Sequence, residues 1–340
     1  MKRVLLINAS APAYNLGLAK AKNYWLAQQA DVSTSSDVPS LFARDFDHVW
    51  VSAIFSWNVP KLIHVAQVAL AAGIPVEVGG CGTFGLKKQI YEATGLHAQS
   101  SPDQRFERQP GSYPFVFWSR GCPAKNCSLG FPRDGRIPIC SVPEMEGWRF
   151  TLFPDATPAR VILDNNLSAL PRQHQELIVE KTLSMRFETV DANSGFEPRS
   201  FKPETAELWK QLPLVAWRFA YDELAERDAV LRMMAILDDA GVSRKGRHIY
   251  CLAGNEPIAA CEQRVREIQK WKSVPIVQRR RPLDWMGSPH PLPTLHDWTE
   301  QKLIDFQRWG NRLSGGMEFI GYRRGKKDGD TQTIPMNFVG

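Results

Sequence analysis

Three of the six cysteines, Cys122, Cys127 and Cys140, fall within nineteen residues of a 340-residue chain. Thiolates are soft ligands, suited to iron-sulfur clusters or to zinc. Three from one segment can ligate three irons of a 4Fe-4S cluster and leave the fourth open to a substrate or cofactor. A structural zinc site would need a fourth ligand, such as Cys81 or a distant histidine. Unpaired buried thiols are the third reading. The full set, at 81, 122, 127, 140, 251 and 261, is too unevenly spread for a disulfide framework in a chain this long, so the thiols read as reduced. Cys251 sits in an apolar strand pattern and Cys261 in a helical one, and both read as core residues.

The elements that must position these thiols alternate in type. VLLIN (4–8), the stretch around Asp31 to Ser35, HVWVSAIF (48–55) and IPVEVGG (74–80) read as strands. LGLAKAKNYWLAQQA (16–30) and KLIHVAQVALAAG (61–73) read as helices between them. Residues 98–112 are polar and rich in Pro, Ser and Gln, and read as a linker. Six further strand-like runs follow, at 113–119, 159–165, 186–193, 214–222, 247–254 and 274–280. Helical patterns at 170–184, 203–212, 226–241 and 258–272 separate most of them. The expected fold is α/β, with a parallel sheet over 1–100, a second unit of about six β/α repeats over 113–285, and a C-terminal part over 286–340 that opens on an amphipathic helix (296–313). Parallel-strand proteins place ligands at the C-terminal strand ends. Cys122 stands there, directly after the first strand of the second unit.

Composition excludes several classes. The chain lacks an apolar stretch long enough to cross a membrane and opens without a signal-peptide pattern, so it is expected to be soluble and cytoplasmic, with no membrane partner. The net charge of +6 and pI near 9.0 leave a nucleic-acid partner open without arguing for one. The local basic excess lies in Arg279 to Arg281 and in the tail GYRRGKKDGD (321–330). No Ser-His-Asp set, zinc-protease helix or phosphate loop is visible, and GGCGTFG (79–85) does not fit the dinucleotide pattern; its glycines read as a tight turn after a strand.

The cysteine segment resembles the loop of radical S-adenosylmethionine (radical SAM) enzymes, in particular the branch with a cobalamin-binding-like domain ahead of the radical SAM domain. That loop often reads SRGCxxxCxFCxVPxxEG. Here SRGCP (119–123) matches its start and CSVPEMEG (140–147) its finish, while the gaps between cysteines are four and twelve residues instead of three and two. SLGFPRDGRIPI (128–139) is thus an insertion, and Ile139 stands where the family commonly has an aromatic residue.

The resemblance implies a Rossmann-like, cobalamin-binding-like parallel sheet followed by a partial (β/α)6 TIM-type barrel. It implies a 4Fe-4S cluster on Cys122, Cys127 and Cys140, with S-adenosylmethionine at the open iron. Asp164, Asn165 and Asn166 in VILDNN (161–166) are then candidates for the methionine amino group, with helix capping as the alternative. Asn193 and Arg199 are placed against the ribose or the cluster. Arg218 is the candidate for the methionine carboxylate, against an ion pair with Asp222 or another acid. Arg279 is the candidate arginine of the last strand. A flavodoxin- or ferredoxin-type electron donor is implied as partner.

Cobalamin stays open, because the DxHxxG pattern that supplies an axial histidine is absent. The activity implied is radical modification of an unidentified substrate, with methyl transfer favoured. Methylthiotransferase-like modification of RNA or protein is a second reading, and a non-enzymatic iron-sulfur or zinc module that binds nucleic acid is a third.

Overall fold

The computed structural model describes residues 1–37, 45–124, 127, 129, 138–140, 142, 147 and 149–312. The chain is mixed α/β and built on parallel sheets. Strands β1 (Arg3–Asn8), β2 (Asp31–Ser35), β3 (His48–Ser52) and β4 (Val76–Gly79) form one sheet in the order β2-β1-β3-β4, every pair parallel. Strands β1 and β3 are apolar on both sides because helices cover both sides. Val4, Leu6 and Trp50 pack with Leu18 and Ala21 of helix α1 (Leu16–Ala27). Leu5, Ile7, Val49 and Val51 pack with Leu62, Val65 and Ala66 of helix α2 (Val59–Ala71). Helix α1 begins where the Asn15 side chain accepts from Leu18 N, and α3 (Lys87–Thr94) ends at Gly95 in the left-handed region.

Residues 98–112 are not an open linker. Gly80 N donates to Gln99 O, and a one-turn helix, α4 (Gln104–Glu107), follows Asp103. Phe106 is buried against Tyr24 and Trp50. One aromatic side chain thus anchors a polar segment whose composition otherwise speaks for solvent.

The second unit carries β5 (Phe115–Val116), β6 (Ser119–Arg120), β7 (Thr151–Leu152), β8 (Val161–Ile162), β9 (Asp191–Ala192), β10 (Trp217–Ala220), β11 (Arg247–Ala253) and β12 (Val274–Arg279). Two parallel sheets run β5-β8-β9 and β10-β11-β12, and single parallel bridges, Val190 to Leu214 and Phe196 to Phe219, join them. The run expected over 113–119 splits in two. Its second half, β6, pairs antiparallel with β7, so the cysteine segment hangs from a two-stranded neck.

Helices α5 (Arg172–Ser184), α6 (Pro203–Trp209), α7 (Arg227–Asp239) and α8 (Ile258–Lys270) alternate with the later strands. Cys251 meets Arg264 of α8, and Val277 meets Gly310 of α9 (Glu300–Asn311), so odd-numbered residues of β11 and β12 face helices. The half-buried His248 and Tyr250 lie on the other face by strand alternation. Helix α9, capped by the Thr299 side chain, buries Leu303, Phe306 and Trp309 against the second core. No helix among the described residues is long and apolar enough to cross a membrane. The basic tail (321–330), most of the insertion and much of CSVPEMEG lie outside the described residues.

Candidate functional site

The cysteine segment is anchored by backbone at each thiol position. Cys122 N donates to Gly147 O at 3.1 Å, closing the segment just above its neck. Gly121 makes this possible: its φ is +96°, and a Cβ there would lie 2.3 Å from Arg149 O. Cys127 N donates to Ala124 O, and both Ile139 N and Cys140 N donate to Leu129 O. The chain leaves after Cys127 and returns to Leu129 at Cys140. All three cysteines are partly buried. Among the described residues, no three His, Cys, Asp or Glu side chains are drawn together as a metal-holding group.

Beside this segment the C-terminal strand ends of the second unit form a joined series of turns. Leu167 N donates to Gly195 O, and Glu197 N donates to Ser168 Oγ at 2.8 Å, tying the turn after β8 to the turn after β9. Phe196 N donates to Arg218 O, which ties that turn to β10. Asn255 Nδ2 donates to Glu223 Oε1 at 2.8 Å, joining the turns after β10 and β11.

The sequence candidates distribute along this series. Asp164 is fully buried and turned toward the strand that leads into the cysteines, accepting from Trp118 N at 2.9 Å and Ser119 Oγ at 2.6 Å. Burial pushes its carboxyl up to about 6. Asn166 Oδ1 accepts from Ala169 N, so its carbonyl serves the capping alternative. Asn165 and Asn193 stand in adjacent turns, and Asn193 N donates to Ile162 O.

Arg199 is held by Glu197 at 2.7 Å and lies within electrostatic reach of Cys127, bringing the turn after β9 to the cysteine segment. Arg218 is paired, with Asp191 and not with Asp222: Nε and Nη2 meet the two carboxylate oxygens at 2.8 and 2.9 Å, and Nη1 donates to Tyr250 Oη. Arg279 lies within electrostatic reach of Glu300 and Arg308 of α9, and its Nε is buried with no hydrogen-bond partner among the described residues.

Several further groups join these, and among them only Asp222 was named from the sequence, as a partner for Arg218 that it is not. Asp191, His248 and Tyr250 share the helix-free face with Arg218, a placement readable from alternation in RHIYCLAG. Asp222 and Glu226 are partly buried carboxylates beyond β10, and desolvation raises both above the ordinary carboxylate range. Asp222 Oδ1 accepts from Leu252 N, and Glu226 Oε2 accepts from Asp222 N at 2.8 Å. Their signal, acids just after a strand, is shared with ordinary helix caps.

By ligand type the donor set suits an iron-sulfur cluster, with three thiols on one strand-end segment and amide and guanidinium side chains on the neighbouring turns, while the three thiols are not drawn together among the described residues. Metal binding and local ordering are coupled in sites of this kind. The first sheet is closely packed at its strand ends. Its turns after β3 and β4 meet backbone to backbone, Gly82 against Phe55 at 2.5 Å from an added Cβ, and Gly85 meets Leu283 of the second unit at 2.6 Å. The turn after β1 is closed as well, with Ser10 Oγ accepting from Ile54 N.

No protein-family model matches the chain, and no curated protein matches it. The functional reading therefore rests on the residues and their placement.

Proposed function

We propose that the chain is a radical SAM enzyme whose 4Fe-4S cluster is held by Cys122, Cys127 and Cys140, acting on an unidentified substrate. The observation that supports it most is the three-cysteine segment placed after the first strand of a parallel β/α unit, with Arg199 of a neighbouring strand-end turn in reach of Cys127. In this reading the second unit is a partial (β/α)6 barrel and the first a Rossmann-like unit without cobalamin.

When bound, the cluster and S-adenosylmethionine supply a one-electron reductive cleavage to methionine and a 5′-deoxyadenosyl radical, the electron coming from a flavodoxin- or ferredoxin-class donor. The chain's own residues orient and enclose. Asn165 and Asn193 present amides from adjacent turns for the amino acid and ribose. Arg218, already neutralised by Asp191, supplies oriented N–H donors more than net charge. Water exclusion matters in such chemistry, because an open cavity would quench a reactive species before substrate meets it.

The test is anaerobic reconstitution with iron and sulfide, followed by reduction and assay of 5′-deoxyadenosine beside a Cys140→Ala variant. The reading expects cluster absorbance and 5′-deoxyadenosine from the wild type and loss of both in the variant. A wild type that holds zinc or no metal, and cleaves nothing, would overturn it in favour of a nucleic-acid-binding module.

A further inference from the structure

The first unit reaches the cysteine segment at both ends. At the leading end, Lys20 of α1 donates to Glu107 O at 2.7 Å, and Glu107 accepts from Arg120 Nε at 3.1 Å. Arg120 stands two residues ahead of Cys122 and stacks on Phe117, its guanidinium carbon 3.4 Å from the ring centroid. Glu107 is only 8% exposed, so this ion pair is screened far less than one at the surface.

At the returning end, Leu283 N donates to Pro138 O at 3.1 Å, and Pro138 stands two residues ahead of Cys140. The segment that carries Leu283 is itself gripped by the first unit. An added Cβ on Gly85 would lie 2.6 Å from Leu283 C and O, and one on Gly287 would lie 2.7 Å from Trp57 Cβ. Arg281 lies over Trp57 at 4.4 Å, and Trp57 stacks on Phe55 at 4.5 Å. The glycines of GGCGTFG thus permit close contact of backbone with backbone, first within the unit at Gly82 and then between units at Gly85.

We propose that the first unit is a two-point brace for the cysteine segment, with Glu107 positioning Cys122 through Arg120 and Gly85 positioning Cys140 through Leu283 and Pro138. This rests on the cluster reading for its purpose, not for its geometry. The two points act at different ends of the segment, so each thiol has its own positioning residue.

The experiment compares thiol alkylation rates, site by site by peptide mass spectrometry, in the metal-free full-length chain. Gly85→Ala is expected to speed Cys140 roughly tenfold relative to Cys122, the change that about 1.4 kcal/mol of local opening gives. Glu107→Gln is expected to do the reverse, speeding Cys122 relative to Cys140. Gly246→Ala, where an added Cβ meets nothing within 4 Å, leaves both rates unchanged. Cys251 and Cys261, both fully buried, stay protected wherever the fold is intact.

Equal rates in wild type and variants, or the same thiol responding to both substitutions, overturn the brace. If a variant unfolds and exposes Cys251, hydrogen exchange on the unmutated chain decides: a protected Leu283 N–H supports the brace, and exchange at the open-chain rate ends it. Iron uptake separates the two claims. A wild type that takes up no iron sinks the cluster reading while the alkylation ratios still stand; full iron uptake with unchanged ratios does the opposite.

Discussion

The two parallel units end their strands in opposite ways. In the first, the strand-end polar groups are short and neutral: Asn15 donates to Ser52 Oγ, Ser10 accepts from Ile54 N, and Thr83 donates to Gly80 O. In the second, the comparable region buries Asp164, holds the partly buried Asp222 and Glu226, and places the fully buried Arg264 within electrostatic reach of Asp222. Neutral donors and acceptors suffice to close an edge. Buried charge costs solvation and needs a web of partners, and perturbed carboxylates gather at functional sites as well as in structural ion pairs. The proposed function accordingly gives the first unit the supporting part and the second the binding part.

The contrast is most open to attack at Arg264. Its guanidinium donates to Glu256, to the carbonyls of Tyr221 and Leu252, and to the sulfurs of Cys251 and Cys261. Arg264→Leu removes the buried guanidinium from Glu256 and leaves two buried carbonyls without this donor, and a loss of about 3 kcal/mol is expected in urea unfolding. Thr83→Val in the first unit removes one buried hydrogen bond and should cost about 1 kcal/mol. Equal losses would erase the distinction.

A second, pH-dependent difference follows from Asp164, whose carboxyl sits at about 6 instead of the ordinary 3.8. Between those values the folded chain keeps a proton that the unfolded chain has released. Its contribution is therefore complete below the ordinary value and lost as pH rises through the folded one. From this group alone, stability should fall by on the order of 3 kcal/mol between about pH 4 and about pH 8. Asp164→Asn cannot ionise, so unfolding curves of wild type and variant should diverge with pH across that range. A constant difference would show that the carboxyl is not held in a dry site.

How much of this could be read in advance differs by region for a physical reason. β1, β3 and helices α1, α2, α5, α7 and α8 carry long periodic patterns, and the sequence places them nearly where they lie. The cysteine segment and the turns carrying Asn165, Asn193 and Arg199 were expected after strands, and the structure sets these residues after β5, β8 and β9. The neck β6-β7 was not, because two-residue strands have no period. Nor was the pairing of Arg218 with Asp191, which stand twenty-seven residues apart and meet where single bridges set β9 beside β10. The contact of Gly85 with Leu283 depends on how two units dock, which no local pattern encodes.

The pair of Arg218 with Asp191 is a smaller case of buried charge in the second unit. Its side chains are 16% and 24% exposed, between core and surface. Arg218→Lys keeps the charge but loses the bidentate fork and the donation to Tyr250, so a stability loss of about 1–2 kcal/mol is expected from chemical denaturation. Asp191→Asn in the same background should add little, because its partner geometry is already gone. Full additivity would mean that the two residues do not act as one unit.

The smallest effect should come from the first unit's own charge cluster. Arg105 meets Glu77 and Asp103, each at 2.7 Å, and lies over the Trp50 ring. Its side chain is 40% exposed, so solvent and salt screen these pairs and little net energy remains. Arg105→Lys preserves the charge and much of the stem packing, and a loss below about 1 kcal/mol is expected, shrinking further in added salt. A loss as large as that of Arg218→Lys, persisting in salt, would mean that the one-turn helix α4 is fastened by charge. The first unit would then hold its edge by the same means as the second, and the division between a supporting sheet and a binding one would have to be drawn elsewhere.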